Sequence, residues 1–306
     1  MADMKRFSAS GGDPDPDAGW VVNEAQPHGV QLFASLREIW QYRPLILELV
    51  RRDLKVRYKN SIGGIAWSLV NPLMQVFVIT VVMKFLLARP VENYSAYVFG
   101  AVFLWTLIQT SLLDGCVSVL QNAQLVRKIY FPRAILPLTT LLGSFFHFGI
   151  SFFFIIVYLF IVRAYPEHWS WTFFLVVPIV FFLMVLCLGI TYFLAYLNVF
   201  YEDVRFILTA LMGLLFYALP ILYPVEKVAE KGLLNLYLLN PVATYLVMFQ
   251  RALMPPPVVY DANNQVIPAV QMPWANFGIA CLVSTLILIA GFALFEKNKW
   301  QMAERL

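Results

Sequence analysis

Charge is what this chain has least of: across 306 residues only 13% are Asp, Glu, Lys or Arg, while 60% are hydrophobic and the mean hydropathy is +0.72. A water-soluble protein of this length needs far more polar surface, so the composition excludes that class and points to a polytopic membrane protein. Cysteine is scarce as well. Cys116, Cys187 and Cys281 each sit inside an apolar run, which excludes a disulfide framework and a cysteine zinc site. The histidines His28, His147 and His168 are scattered. No G-x-x-x-x-G-K-[ST] phosphate loop occurs anywhere, so the chain has no ATP site of that kind, and nucleotide energy would have to come from a partner. Met1 to His28 lacks an apolar signal-peptide core and is rich in Asp, Gly, Pro and Ser, the composition of a disordered cytoplasmic tail. The net charge of +4 is no argument for nucleic acid, because in such a chain cations orient helices.

What the chain does have is long apolar runs. Ile65–Leu87, Tyr97–Leu120, Ile135–Val162, Thr172–Val199, Phe206–Leu222 and Trp274–Phe295 each approach or exceed the roughly 20 residues that cross about 30 Å of hydrocarbon. They predict an all-α protein with six transmembrane helices. A further run, Leu233–Leu253, carries Asn235, Asn240, Pro241 and Gln250, and the Asn-Pro pair disfavours a continuous span. Charge decides its place. With six spans and a cytoplasmic N-terminus, the inside holds Arg37, Arg43, Arg51, Arg52, Lys55, Arg57, Lys59, Arg127, Lys128, Arg133, Arg205, Lys297, Lys299 and Arg305. The outside holds only Lys84, Arg89, Arg163, Lys227, Lys231 and Arg251. A seventh crossing would move the C-terminal cations outside, against the positive-inside rule. Leu233–Leu253 is therefore expected to be a re-entrant helical hairpin before the last span, dipping from the outer face. Trp67, Trp169, Trp171, Trp274 and Trp300 fall at span ends, as an interfacial belt requires.

The organising stretch runs from Arg43 to Gln75. On a helix Glu48, Arg51, Arg52, Lys55 and Lys59 share one face, and Leu45, Ile46, Leu49 and Val56 another, the pattern of an N-terminal amphipathic interfacial helix. Asp53 and Arg57 are expected to pair at i, i+4. Asn60 to Gly64 breaks the helix before the first span. The resulting division is a tail (1–28), cytoplasmic interfacial helices (29–62, beginning with a short helix over Val30–Tyr42) and a six-span membrane domain (63–306).

Two loops face the cytoplasm. Gln121 to Arg133, with Arg127, Lys128, Ile129, Tyr130, Phe131 and Arg133 near a closing Pro132, has the shape of a knob that docks into a groove on another protein. In the loop around Glu202, Asp203 is expected to N-cap the fifth span. An ion-coupled lipid or sugar transporter would instead need ionisable groups near the midplane; Asp114 and His147 are the only obvious ones in the spans. A membrane-embedded glycosyltransferase or phosphatase would need acidic or histidine clusters that are not there. Aromatics make up 16% of the chain. Phe77, Trp105, Tyr217 and Tyr223 are candidates to line a path across the membrane, since an aromatic lining can close against itself when empty.

The run from Arg51 to Ser61, then Gly63-Gly64-Ile65-Ala66-Trp67, Asn71-Pro72-Leu73, Val126 to Arg133, Leu136-Pro137, Tyr201, Asp203 and Val204, Pro220 to Val225 and Asn240-Pro241 closely resembles the permease subunits of ABC exporters for polysaccharides and polyol phosphates. Glu202 departs from the basic residue expected there. The resemblance implies a homodimer bound to two ATPase subunits, which carry ATP and Mg, with no cofactor in this chain. It also implies a channel for a lipid-linked polysaccharide of O-antigen, capsule or teichoic acid type, with O-antigen foremost, in the cytoplasmic (inner) membrane. By the same resemblance the interfacial helix (Arg51, Arg52, Asp53, Lys55, Arg57, Lys59) forms a cuff at the channel entrance. The Arg127 to Arg133 segment couples to the ATPase, and the hairpin near Asn240 lines the outer exit.

Overall fold

A computed structural model of the chain describes residues 32–58, 65–86, 93–129, 131–162, 171–261, 263 and 265–305. The tail 1–28, the break at Asn60–Gly64, Lys59 and Tyr130 lie outside the described residues. Helices dominate: α1 (Leu32–Gln41), α2 (Arg43–Tyr58), α3 (Ile65–Leu86), α4 (Tyr94–Gln121), α5 (Ala123–Lys128), α6 (Ile135–Val162), α7 (Val176–Phe200, entered through a 3₁₀ turn at Trp171–Leu175), α8 (Asp203–Ala218), α9 (Glu226–Glu230), α10 (Leu234–Tyr237), α11 (Pro241–Leu253), α12 (Trp274–Lys297) and α13 (Lys299–Arg305). An isolated bridge between Tyr260 and Val266 is the one β contact among the described residues.

Among the described residues four helical stretches are long and apolar enough to cross a membrane: Tyr94–Lys128, Ile135–Val162, Trp171–Phe200 and Trp274–Lys297. Of the other two expected spans, α3 has 22 residues, about 33 Å at 1.5 Å per residue, with an apolar stretch at Leu69–Phe85, and only α8 falls short. α8 has 16 residues, about 24 Å at 1.5 Å per residue, against about 30 Å of hydrocarbon. Its apolar run continues to Leu222, but Pro220 forces Leu219 out of helical geometry (φ −90°, ψ 159°) and ends the helix at Ala218. Leu233–Leu253 is interrupted as its Asn-Pro pair requires. The Asn240 side chain accepts from the Val242 amide at 3.0 Å, Pro241 opens α11, and this cap and proline start a new helix of 13 residues.

α4 is the central element, with α3, α6, α7, α8 and α11 packed around it. The tightest approach is between α7 and α12, where Gly189 faces Gly291. A Cβ at Gly291 would lie 2.2 Å from the Gly189 carbonyl oxygen, and one at Gly189 2.6 Å from the Leu288 Cα. Small residues at such a crossing let backbones meet where apolar solvent offers no hydrophobic drive to association. Between α4 and α7, Gly115 faces Thr191 in the same way. α11 is covered on all sides, with every residue from Ala243 to Leu253 buried.

Candidate functional site

The bundle has two chemically distinct ends. At one, α4 turns at Asn122 into α5. The Asn122 amide donates to the Ser118 carbonyl at 2.8 Å and accepts from Arg52 of α2 at 2.7 Å. α5 itself buries nothing, so Arg127, Lys128 and Ile129 stand exposed. Phe131 then turns back into the core at 5% exposure. The Arg133 guanidinium donates to the Lys299 carbonyl and lies over the Trp300 ring at 6.0 Å.

α2 lies beside this end. Ile46 and Leu49 bury against the bundle as their spacing predicts, whereas Val56 points away at 69% exposure. Lys55 is exposed, and Glu48 pairs with Arg51 at 2.8 Å. The expected Asp53–Arg57 pair does not form. Asp53 takes two contacts from Arg52, at 3.0 and 2.8 Å. Arg57 reaches across to α4 and meets Asp114 at 2.6 Å, while Asp53 is already taken by Arg52. Half-exposed pairs of this kind contribute at most about 1 kcal/mol, but they fix how α2 lies on α4. A cavity of about 470 Å³, lined in part by Arg52, Asp53, Arg57, Asp114, Asn122 and Thr140, opens between α2, α4 and α6. The expected Asp203 cap is also displaced. Glu202 occupies the cap position in helical geometry, and no side chain caps α8. Asp203 still puts its charge in the first turn, where the helix dipole favours it.

The other end holds a polar network that hydropathy alone did not reveal. Glu226, opening α9, forms an ion pair with Arg251 near the end of α11, their side chains 0% and 3% exposed. Arg251 Nε donates to the Val270 carbonyl at 3.0 Å, and the Val270 amide donates to Glu226 Oε1 at 3.2 Å. Arg251, an outside loop cation in the charge count, is therefore a core residue. Next to it Tyr97 of α4 donates to the Pro220 and Tyr223 carbonyls (2.8 and 2.9 Å). The hydroxyls of Tyr223 and Tyr237 meet at 3.1 Å and both contact the Ala218 carbonyl. The only advance signal was that Arg251 sits inside the apolar run Leu233–Leu253 and Glu226 close after the run that ends at Leu222.

The aromatic candidates separate. Phe77 on α3 and Tyr217 on α8 are 61% and 68% exposed, on two helices that both pack against α4. Trp105 is buried behind Phe216, ring centres 6.2 Å apart. Tyr223 is half-buried in the network above. Among the described residues no group of three His, Cys, Asp or Glu could hold a metal ion.

Three curated proteins resemble the chain over most of their length. An O-antigen export system permease protein, RfbA, of Myxococcus xanthus is 27% identical over 88% of this chain and 98% of its own length. Two proteins of the same name from Klebsiella pneumoniae are 29% and 27% identical, over 85% of this chain and 94% of theirs. The sequence model of the ABC-2 type transporter family matches residues 44–254, from α2 through α11 and well over half of the chain, and with that match the chain belongs to the ABC-2 type transporter family, as a multi-pass membrane component of a transporter.

Proposed function

We propose that this chain is the channel-forming permease of an ATP-driven exporter that moves a lipid-linked polysaccharide of O-antigen type across the inner membrane. Two copies act with two separate ATPase subunits, which carry ATP and Mg. The observation that carries the reading is the match to three O-antigen export permeases over 94–98% of their length. In this reading α3 and α8 complete six spans, both termini are cytoplasmic, α2 lies in the inner interface, and α9 to α11 form a hairpin re-entering from the outer face. α5 is the contact for the ATPase, supported by the exposure of its two adjacent cations, Arg127 and Lys128. Phe77 and Tyr217 line the path at the joint of two copies, where their exposure within one chain supports them. Trp105 acts from behind by setting the position of Phe216, and Tyr223 does so from the network at the exit.

The competing ion-coupled carrier is disfavoured by the pairing of charges: Asp114 is matched by Arg57 and Glu226 by Arg251, so neither acid is free to carry an ion. Deletion of the gene tests the proposal. Lipid-linked polymer is expected to accumulate inside the cell and to reach the surface again only when both permease and ATPase are supplied; normal surface polymer in the deletion strain refutes it.

A further inference from the structure

We infer that the C-terminal helix α13 is a positioning element that stiffens the coupling segment, so that the permease needs it to convert ATP hydrolysis into transport rather than to bind the ATPase. The inference rests on α5 being the ATPase contact. α5 leaves Arg127 and Lys128 exposed and rests Ala123, Leu125 and Val126, half-buried, on an apolar cluster, so a displacement imposed on it reaches the membrane helices through that cluster and through its ends. Its far end, Phe131 to Arg133, leads directly into α6.

That end is held by segments distant in sequence. Phe131 shares an apolar cluster with Ile39 of α1, Phe295 of α12 and Met302 of α13, the last two fully buried. The Arg133 guanidinium donates to the carbonyl of Lys299, the first residue of α13, and lies over the Trp300 ring. Glu296, at 8% exposure, accepts from Lys299 Nζ at 2.9 Å and from Ser35 Oγ of α1 at 3.1 Å. A cation held between a carbonyl and an aromatic face resists lateral movement more than an apolar contact does, because both partners are directional. Without α13 the end of α5 would lose the Lys299 carbonyl, the Trp300 ring and Met302, and more of a push on α5 would be absorbed locally instead of moving α6.

The test uses the complete permease–ATPase complex in vesicles, with polymer transported per ATP hydrolysed as the readout. A chain ending at Asn298 and the variant Trp300→Ala are expected to copurify with the ATPase and hydrolyse ATP, while transport per ATP falls about fivefold or more, the lower end of usual coupling effects. Trp300→Phe, which keeps an aromatic face, is expected to recover most of the loss. A wild-type ratio in Trp300→Ala overturns the inference, as does an equal loss in the Ala and Phe variants. Should the truncated chain fail to accumulate, the Ala and Phe pair decides alone. The docking role of α5 is checked separately by reversing Arg127 and Lys128 to Glu. Loss of copurification there, beside normal coupling in Trp300→Ala, retires the role of α13 and leaves α5 in place; normal copurification and export retire the docking role itself.

Discussion

Replacing Arg251 by Met exposes the energetics of the end of the bundle built from α9 and α11. The change removes the guanidinium that neutralises Glu226 and the 3.0 Å bond to the Val270 carbonyl. It leaves a fully buried carboxylate with one amide donor, that of Val270 at 3.2 Å. Removing one partner of a buried pair costs about 3–5 kcal/mol, because the remaining charge has neither solvent nor counter-ion. Replacing both partners by apolar groups of similar size is often neutral or stabilising. The geometry here favours that outcome. Glu226 Oε2 and Arg251 Nη1 have no hydrogen-bond partner among the described residues, so the native pair does not recover its full desolvation penalty. Arg251→Met and Glu226→Leu are each expected to lose about 3–5 kcal/mol and the double variant less than about 1 kcal/mol. Reversible unfolding in mixed micelles measures all four corners of this cycle. A single variant that loses less than about 1 kcal/mol, the value of a surface pair, would show that water reaches this site and that the pair is not buried in the working protein.

Other outcomes follow from the packing and the charge count. Gly291→Ala puts a methyl group 2.2 Å from a backbone oxygen of α7, which only separation of the helices relieves; a loss of about 1–3 kcal/mol is expected in the same unfolding assay. Gly143→Ala, where a Cβ meets nothing within 4 Å, serves as the neutral control. Single cysteines introduced at Asn122, Glu202 and Gln301 should label from the cytoplasmic side and those at Glu92, His168 and Asn263 from outside; external labelling of position 301 in intact cells refutes six spans. Phe77→Ala and Tyr217→Ala should lower surface polymer or raise ion leakage with expression and ATPase association intact, and a fall in expression alone would make both residues packing.

How much of this was legible beforehand depended on how far apart the interacting groups lie in the chain. Apolar length alone locates α6, α7 and α12, and the Asn240-Pro241 pair marks the start of α11, because helix geometry and proline sterics act within a few residues. The end of α8 was misjudged for a local reason: a hydropathy window weighs Leu219, Ile221 and Leu222 as span residues and does not register that Pro220 stops the helix among them. The site was less legible. Spacing arguments reach i+3 and i+4, so they paired Asp53 with Arg57, while the structure pairs Arg57 with a residue 57 positions away. The contact between Arg133 and Lys299 spans 166 positions.

Counting cations as topological markers treats each one as solvated, and that assumption hid Arg251, whose charge is compensated inside the protein. In a chain with so few charges, a charge inside the bundle is the exception to the orientation rule and therefore the more informative one. Arg251 ties α9, α11 and the loop at Val270 into one unit, and Arg133 ties the end of the α5 segment to α13. Both contacts join segments far apart in the chain, and both end on a backbone carbonyl. The two ends of this protein are thus held by directional bonds to backbone carbonyls, while the apolar helices between them rely on close packing.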